Sequence, residues 1–248
     1  RPTLSPSSAA SDVYKRQGLW YDPWAALRRL TKSAKRLAEE VVKAYSGLRL
    51  AVSHMDRELV FISVFLSRRT DFHLTVVRWV KAILSVSDDP EAIKLMDLRA
   101  IASSYQLAQL AEVYHDYLEL SRAKGLLSVW DLRRRLLSLK FVGPKTVHAY
   151  MLFAYALPNM PPIDVHMVNF NERVGVLERG ELKLPEKRYC KVYECPQCPI
   201  RDSCMFSLLV EEYGDLAGWL QTVAYVHDKM YCQRRLCGSC SLRHLCRA

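Results

Sequence analysis

The eight cysteines of this chain form two sets with the same spacing. The first set is Cys190, Cys195, Cys198 and Cys204, and the second is Cys232, Cys237, Cys240 and Cys246. In both sets, four, two and five residues separate successive cysteines. A Cys-x-x-Cys pair supplies two neighbouring ligands from one tight turn, and the outer two cysteines complete a four-thiolate site. We therefore expect each set to bind metal.

Disulfides are an alternative for these thiols, but nothing in the sequence suggests secretion, where disulfides are favoured. Zinc and an iron–sulfur cluster both accept four thiolates, so spacing alone leaves both open. In either case we expect a structural role, because such short loops have no hydrophobic core of their own. Arg234 and Arg235 lie between ligands of the second set. They are predicted phosphate contacts, with a solvated charged loop as the alternative.

A possible anion-binding turn lies near the middle of the chain. One helix should end near Leu139, the chain should turn at Gly143, and Pro144 should begin the next helix. Backbone N–H groups at such a helix start attract phosphate. The predicted DNA contacts here are Val142, Gly143, Lys145 and Thr146. An ordinary helix–turn–helix connection is the alternative.

A second polar position follows two prolines downstream. Asp164 comes after Pro161 and Pro162 and is well placed to cap the helix that follows. Taken without its context, Asp164 predicts only a helix N-cap, and Lys145 predicts only a phosphate contact.

The elements that would position these residues are helices. Asp22 and Pro23 are typical of a helix start, and an apolar stripe from Leu27 to Ala44 at spacings of three and four predicts a helix that ends near Gly47. Further helices are predicted near 56–67, 72–85, 105–123, 128–138, 144–157, 165–174 and 215–229. The sequence shows no run of alternating strands and no Gly-rich nucleotide loop. The predicted class is all-α.

Composition favours a polyanionic partner. Lys and Arg number 36 against 26 Asp and Glu, a formal net charge of +10. Residues 1–17 are rich in Ser, Pro and Ala, and we expect this segment to be disordered and not native to the protein. No apolar run is long enough to cross a bilayer, and no signal peptide is evident. We therefore expect a soluble intracellular protein of the cytoplasm or nucleoid, acting as a monomer.

Together these stretches resemble the helix-hairpin-helix DNA glycosylase superfamily, and in particular endonuclease III. The resemblance rests on the hairpin at 139–147, the Pro-Pro-Ile-Asp-Val-His-Met stretch at 161–167, the segment Phe65–Asp71 and the end of the chain from Trp219 to Cys246. It covers roughly residues 55–175 and 215–246. Three features depart from the family: Lys140-Phe141 replaces the usual Pro-Gly, four residues rather than six separate Cys232 and Cys237, and the first cysteine set is extra.

The resemblance implies a fold and a cofactor. It implies a six-helix domain over 56–163 and a second domain built from 18–55 with 164–248. It also implies a [4Fe-4S] cluster on Cys232, Cys237, Cys240 and Cys246. For the first set, a second [4Fe-4S] cluster or zinc both stay open.

The resemblance also implies an activity on double-stranded DNA that contains damaged bases or abasic sites. Lys145 matches the nucleophile of members with AP lyase activity, and Asp164 matches the catalytic aspartate. Arg68 falls where relatives fill the space left by a flipped-out base. The expected enzyme removes an oxidised base, and the Asp-Val-His-Met stretch also resembles 8-oxoguanine glycosylase. The alternatives are a monofunctional adenine- or uracil-type glycosylase and a catalytically silent iron–sulfur DNA-binding protein.

Overall fold

The computed structural model describes residues 6–122, 128–178 and 180–247. Within these ranges the chain is built from helices and turns, and the only β-type pairing is an isolated bridge between Lys183 and Cys204. This confirms the all-α prediction. The α-helices are α1 Pro6–Arg16, α2 Pro23–Leu27, α3 Lys32–Ala44, α4 Arg57–Leu66, α5 Val77–Val86, α6 Pro90–Leu95, α7 Tyr105–Arg122, α8 Val129–Ser138, α9 Pro144–Tyr155, α10 Val165–Val174, α11 Lys187–Cys190, α12 Met205–Tyr213 and α13 Ala217–His227.

Side-chain caps fix where several of these helices begin. Asp22 accepts a hydrogen bond from the Trp24 N–H at the start of α2, and Ser128 accepts one from the Asp131 N–H at the start of α8. Asp164 caps α10 in the same way. Such side chains satisfy backbone donors that the first turn of a helix leaves free. The predicted caps at Asp22 and Asp164 are confirmed.

The helix predicted to run unbroken from Pro23 is in fact two helices. α2 ends at Leu27 and α3 begins at Lys32, because Thr31 adopts an extended backbone with φ −66° and ψ 160°. The sequence analysis also missed α6 and α12. The first five residues of α12 are all buried, so this helix lacks the polar face that reveals a helix in a sequence.

The N-terminal segment also differs from expectation. Residues 6–16 form helix α1, where we expected disorder, and residues 1–5 lie outside the described part. The helix is tied to the rest of the chain, since Arg16 pairs with Asp12 and Asp56, and the Val52 N–H donates to the Lys15 carbonyl. The contacts with Asp56 and Val52 join residues 37 to 40 positions apart, which the composition of the segment could not reveal.

The hydrophobic core is one connected cluster that draws on helices from α2 to α13. At its centre Phe61 of α4 stacks on Tyr117 of α7 at 3.7 Å between ring centroids, and Tyr117 and Tyr150 share a hydrogen bond of 2.9 Å. The division into domains at 56–163 stays a prediction. None of the helices in the described ranges has the length and apolar character needed to cross a membrane.

Candidate DNA-binding and catalytic site

The predicted hairpin lies between α8 and α9. The turn falls at Lys140 and Phe141, whose φ is +60°, whereas Gly143 has an ordinary φ of −114°. The tight turn is therefore two residues earlier than expected. Phe141 occupies a left-handed conformation that glycine adopts freely and other residues adopt at a cost. This is the position where the related hairpins usually have glycine.

Arg68 braces this hairpin from the turn after α4. Its guanidinium donates to the carbonyls of Phe65 and Phe141 at 2.8 and 2.9 Å and to the Gln109 amide oxygen at 2.8 Å. It also lies over the Phe65 ring, 3.8 Å from the centroid. Burial lowers the pKa of Arg68. The structure thus gives Arg68 a positioning contact with the hairpin, and its insertion into DNA stays a prediction. The neighbouring Arg69 is exposed, with φ +55°.

The start of α9 is open and lacks a side-chain cap. Gly143 is the N-cap residue, and an added Cβ there would meet no atom within 4 Å. Thr146 is buried, whereas Lys145 is partly exposed, and its Nζ has no hydrogen-bond or ion-pair partner among the described residues. Val142 is buried and packs in the core. Uncapped N–H groups and a free amine therefore lie together at one helix start.

Asp164 lies at the start of the next helix, α10. One carboxylate oxygen accepts from the Met167 N–H at 2.9 Å, and the other accepts from Gln221 Nε2 of α13 at 3.1 Å. Asp164 and Lys145 make no hydrogen bond with one another. Each is instead placed at the beginning of its own helix, on two helices that follow one another in the chain.

A cleft of about 610 Å³ lies between the segment that follows α4 and the end of α13 with the residues after it. The cleft is lined by Asp71, His73, Leu74, Tyr225, Val226, Lys229, Met230, Gln233 and Arg234. Burial raises the pKa of Tyr225, the charge of Lys229 lowers it, and the charges of Asp71 and Asp164 raise it. Asp164 is thus electrostatically coupled to the lining of the cleft. Sequence reasoning did not single out Tyr225.

The cleft also holds a lysine that the sequence analysis missed. Lys229 Nζ lies 3.2 Å from Asp71 Oδ2 in an ion pair. The Leu74 N–H lowers the pKa of Asp71 most, and Lys229 lowers it further. Lys229 is therefore engaged by a carboxylate, unlike Lys145.

A buried carboxylate joins the Asp164 region to the C-terminal cysteines. Asp228 is 1% exposed and accepts from His166 Nδ1 at 2.7 Å and from Gln233 Nε2 at 2.9 Å. Arg173 lies 3.4 Å away on the other oxygen. His166 follows Asp164 by two residues, so this network fixes the start of α10 against the last segment of the chain. Nothing in the local sequence pattern pointed to Asp228.

The terminal cysteine loop, Cys232–Cys246, lies beyond α13. Cys232 and Cys240 are half-buried, and Cys237 and Cys246 are exposed. His227 Nε2 lies 3.7 Å from Cys240 Sγ, and a hydrogen bond with Cys232 raises the pKa of Arg173. Arg234 and Arg235 are exposed, and Arg234 also lines the cleft.

The first cysteine loop, Cys190–Cys204, is more deeply buried. All four thiols line one small cavity together with Arg133 and Phe206. Burial raises the pKa of Cys195 to about 12, Arg133 lowers it, and the other three cysteines raise it further. Across the described residues, no three His, Cys, Asp or Glu side chains are close enough to hold a single metal ion.

Comparison with known proteins identifies the fold. No family model matches the sequence, and no curated protein matches it. Solved structures do match. MBOgg1 with a low-affinity DNA ligand aligns at TM-score 0.63 and 15% identity, over 90% of this chain and 75% of that one. The Clostridium acetobutylicum 8-oxoguanine glycosylase/lyase bound to duplex DNA aligns at TM-score 0.64 and 12% identity, over 91% of this chain and 76% of that one. A non-covalent endonuclease III–DNA complex aligns at TM-score 0.61 and 18% identity, over 88% of this chain and 96% of that one.

The chain has the helix-hairpin-helix DNA glycosylase fold. In this glycosylase fold, the hairpin between α8 and α9 and the aspartate at the start of α10 are the two features that the sequence resemblance marked out. The residues that the sequence missed, Tyr225, Lys229 and Asp228, all lie in the segment that follows α12. No local pattern in the sequence set Lys229 apart from the other lysines.

Proposed function

We propose that this protein is a DNA glycosylase with AP lyase activity, which removes a damaged base from duplex DNA and then nicks the strand at the abasic site. The observation that carries the proposal is the partly exposed, unpartnered amine of Lys145 at the open start of α9, within a glycosylase fold. The enzyme would act on DNA inside the cell.

DNA binding follows from the start of α9. A phosphate can approach the backbone N–H groups of Gly143 and Lys145 closely, because no side chain caps them and Gly143 has no Cβ. These contacts carry no sequence information and would hold any duplex. Exposed Arg234 and Arg235 extend the positive surface toward the terminal loop.

Lys145 is the proposed nucleophile. With the damaged nucleotide flipped out of the stack, unprotonated Nζ forms a bond to C1′ of the sugar as the glycosidic bond breaks and its electron pair leaves with the base. Opening of the sugar ring gives a protonated Schiff base between Lys145 and C1′. Loss of a C2′ proton then expels the 3′ phosphate by β-elimination, which nicks the strand.

Asp164 is proposed to stabilise this chemistry electrostatically. Its carboxylate is held by the Met167 N–H and by Gln221, so its orientation is fixed before substrate binds. Positive charge develops on the sugar as the base leaves, and a fixed carboxylate near C1′ lowers the free energy of that state. It can also take the proton that Lys145 must lose before it attacks.

A [4Fe-4S] cluster on the terminal loop is the proposed cofactor. The four ligands would be Cys232, Cys237, Cys240 and Cys246, and the nearby Arg173 fits their negative charge. A single zinc ion needs its ligands gathered around one point, whereas a cluster takes each thiolate at a different iron. The resemblance of the terminal loop to that of endonuclease III favours a cluster. When bound, the cluster supplies ligation that fixes the loop and its arginines.

Borohydride trapping on abasic-site DNA tests the proposal. Reduction of a Schiff base leaves a covalent protein–DNA adduct, so we expect an adduct with the unmodified protein and none with Lys145→Ala. Lys140→Ala is the matched control, since Lys140 lies in the same hairpin but is paired with Glu112 at 2.6 Å. Lys229→Ala controls for the lysine of the cleft. An adduct that survives Lys145→Ala and disappears with Lys229→Ala would contradict the assignment.

Asp164→Asn separates capping from catalysis, because asparagine caps a helix as well as aspartate does. We expect base release to fall by at least about 100-fold with little change in stability. The substrate panel would contain 8-oxoguanine opposite cytosine and an oxidised pyrimidine. Base release without an adduct would instead indicate a monofunctional glycosylase, and DNA binding with neither activity would indicate a silent binding protein.

A further inference from the structure

The two cysteine loops share their spacing and, from the second cysteine to the fourth, much of their backbone; just before the second cysteine they differ, with ψ 151° at Glu194 and 46° at Leu236. The φ and ψ angles are −72° and 130° at Cys198 and −71° and 123° at Cys240. They are −104° and 15° at Ile200 and −109° and 18° at Leu242. Hydrogen bonds match too: Cys198 N donates to the Cys195 carbonyl at 3.2 Å, and Cys240 N donates to the Cys237 carbonyl at 3.3 Å. The last three thiols of each loop are therefore carried on a similar backbone.

Arg133 of α8 is an uncompensated cation beside the thiols of the first cysteine loop. It is 1% exposed, and its guanidinium donates to His148 Nε2 and to the Cys190 carbonyl, both at 3.1 Å. None of the described carboxylates pairs with it. Burial, followed by the charge of Arg133, holds the pKa of His148 well below its usual range, so His148 is a neutral acceptor. A buried charge without a counter-charge is strongly unfavourable.

A metal centre in the cavity would supply the missing negative charge. Four thiolates carry four negative charges, of which the iron–sulfur core neutralises only part. The cavity that Arg133 lines is the one that all four thiols of the first loop line. The backbone that this loop shares with the terminal loop from the second cysteine to the fourth favours the same kind of centre in both.

The first cysteine loop and the helices on either side of it also contact the helix-hairpin-helix. Arg133 lies on α8 and His148 on α9, the two helices of the hairpin. The His148 ring stacks on Phe206 of α12 at 3.9 Å, and Lys187 Nζ donates to the Leu139 carbonyl at 2.9 Å. Leu139 is where α8 ends and the hairpin begins. The loop thus contacts α8 directly through Arg133, and the helices that flank it, α11 and α12, contact the hairpin turn and α9.

We propose that the first cysteine loop holds a second [4Fe-4S] cluster and that Arg133 supplies its counter-charge. This centre would stabilise the helix-hairpin-helix through the contacts described above. The proposal shares with the proposed function only the cluster of the terminal loop. The metal measurements below require no DNA and no glycosylase activity, so failure of the lyase test leaves them unaffected.

The first test is a metal count on protein purified without oxygen. We expect about eight irons, about eight acid-labile sulfides and no zinc per chain. Cys198→Ala and Cys240→Ala are a matched pair, since they occupy equivalent, half-buried positions in the two loops. Each should retain about four irons. About four irons with one zinc that Cys198→Ala removes would overturn the proposal, as would four irons, and no other metal, that Cys240→Ala removes. If only the terminal loop lacked iron, the cofactor of the proposed function would fail while this proposal stood.

The second test concerns Arg133 and uses Arg133→Met in the Cys240→Ala background, which holds only the first cluster. Removal of the buried positive charge should make the reduction potential of that cluster more negative, because the reduced state carries more negative charge. It should also speed the loss of iron to a chelator. Arg134→Met is the control, since Arg134 is an exposed neighbour paired with Asp131. An unchanged potential and unchanged iron loss in Arg133→Met would refute the counter-charge role, and circular dichroism checks that the variants are folded.

Discussion

At the scale of single residues, the hairpin shows how a departure from the family pattern is accommodated. Phe141 takes the left-handed φ of +60°, and Arg68 donates a hydrogen bond of 2.9 Å to the Phe141 carbonyl. Its ring packs against the core, and Lys140 Nζ lies 4.7 Å from the ring centroid. The side chain thus contributes packing that glycine could not, while the backbone bears the cost of the conformation.

The strain at Phe141 predicts that glycine is more stabilising than alanine at this position, the reverse of the usual order. Alanine keeps the unfavourable φ and glycine does not, so Phe141→Gly should be more stable than Phe141→Ala by about 0.5–1 kcal/mol. At an ordinary position glycine is the less stable of the two. Urea unfolding measures both, and the Lys140→Gly and Lys140→Ala pair, at a residue of ordinary φ, should show the usual order. The usual order at both positions would show that Phe141 is unstrained.

Gly143 makes a complementary prediction about binding. Its φ is −114° and an added Cβ would meet nothing within 4 Å, so Gly143→Ala should lower the free energy of unfolding by no more than about 1 kcal/mol, the difference between glycine and alanine as N-cap residues. The added methyl group would stand where a phosphate approaches, so we expect the affinity for duplex DNA to fall several-fold. Fluorescence anisotropy measures the affinity. Gly180→Ala, also open, is the control, and equal affinities would argue against phosphate contact at Gly143.

At the scale of elements, α13 connects the catalytic candidate to the terminal cysteine loop. Its Gln221 holds Asp164, and its last residue, His227, contacts both Tyr45 and Cys240. Near its start, Gly218 lies against the segment that follows α9, where its N–H donates to the Pro158 carbonyl at 2.8 Å. The helix is therefore placed by a close backbone approach that a larger residue would block.

This approach predicts that Gly218→Ala destabilises the fold. The new Cβ would lie 2.6 Å from the Pro158 carbonyl oxygen and 2.8 Å from Leu152 Cδ1, which forces α13 outward. We expect a loss of about 1–3 kcal/mol in the free energy of unfolding. Gly47→Ala should cost nothing, because no atom lies within 4 Å of its Cβ position. Chemical denaturation compares the two, and equal stabilities would mean that α13 moves freely.

At the scale of the whole molecule, buried polar groups join the helix-hairpin-helix to the C-terminal third of the chain. Arg133 and His148 face the first cysteine loop, and Asp228 joins the start of α10 to the terminal loop. These bonds cross long sequence separations within one continuous core. Loss of either loop is therefore expected to affect the surfaces that would grip DNA.

The neutral His148 makes stability depend on pH. Its pKa in the folded protein lies well below the usual value, so only the unfolded chain takes up this proton below about pH 6.5. The contribution of neutral His148 to the free energy of unfolding is fully present above about pH 6.5. It is lost as the pH falls toward the pKa of His148 in the folded protein, by up to about 1.4 kcal/mol per pH unit. His148→Gln keeps an acceptor for Arg133 and should flatten this dependence between about pH 7 and 5. The same change at the exposed His115, His115→Gln, should leave the dependence as it is. The prediction would be contradicted if stability changed with pH equally in the unmodified protein and in both variants.

The sequence by itself determined the local chemistry: two equally spaced cysteine sets, an N-cap at Asp164, and a hairpin that places Lys145 at a helix start. These follow from neighbours within a few residues, where spacing and capping rules apply. Only the tertiary structure decided that Arg68 braces the hairpin, that Asp228 joins α10 to the terminal loop and that Arg133 lies buried against the first loop. These roles depend on contacts between residues 55 to 73 positions apart, which local spacing cannot encode.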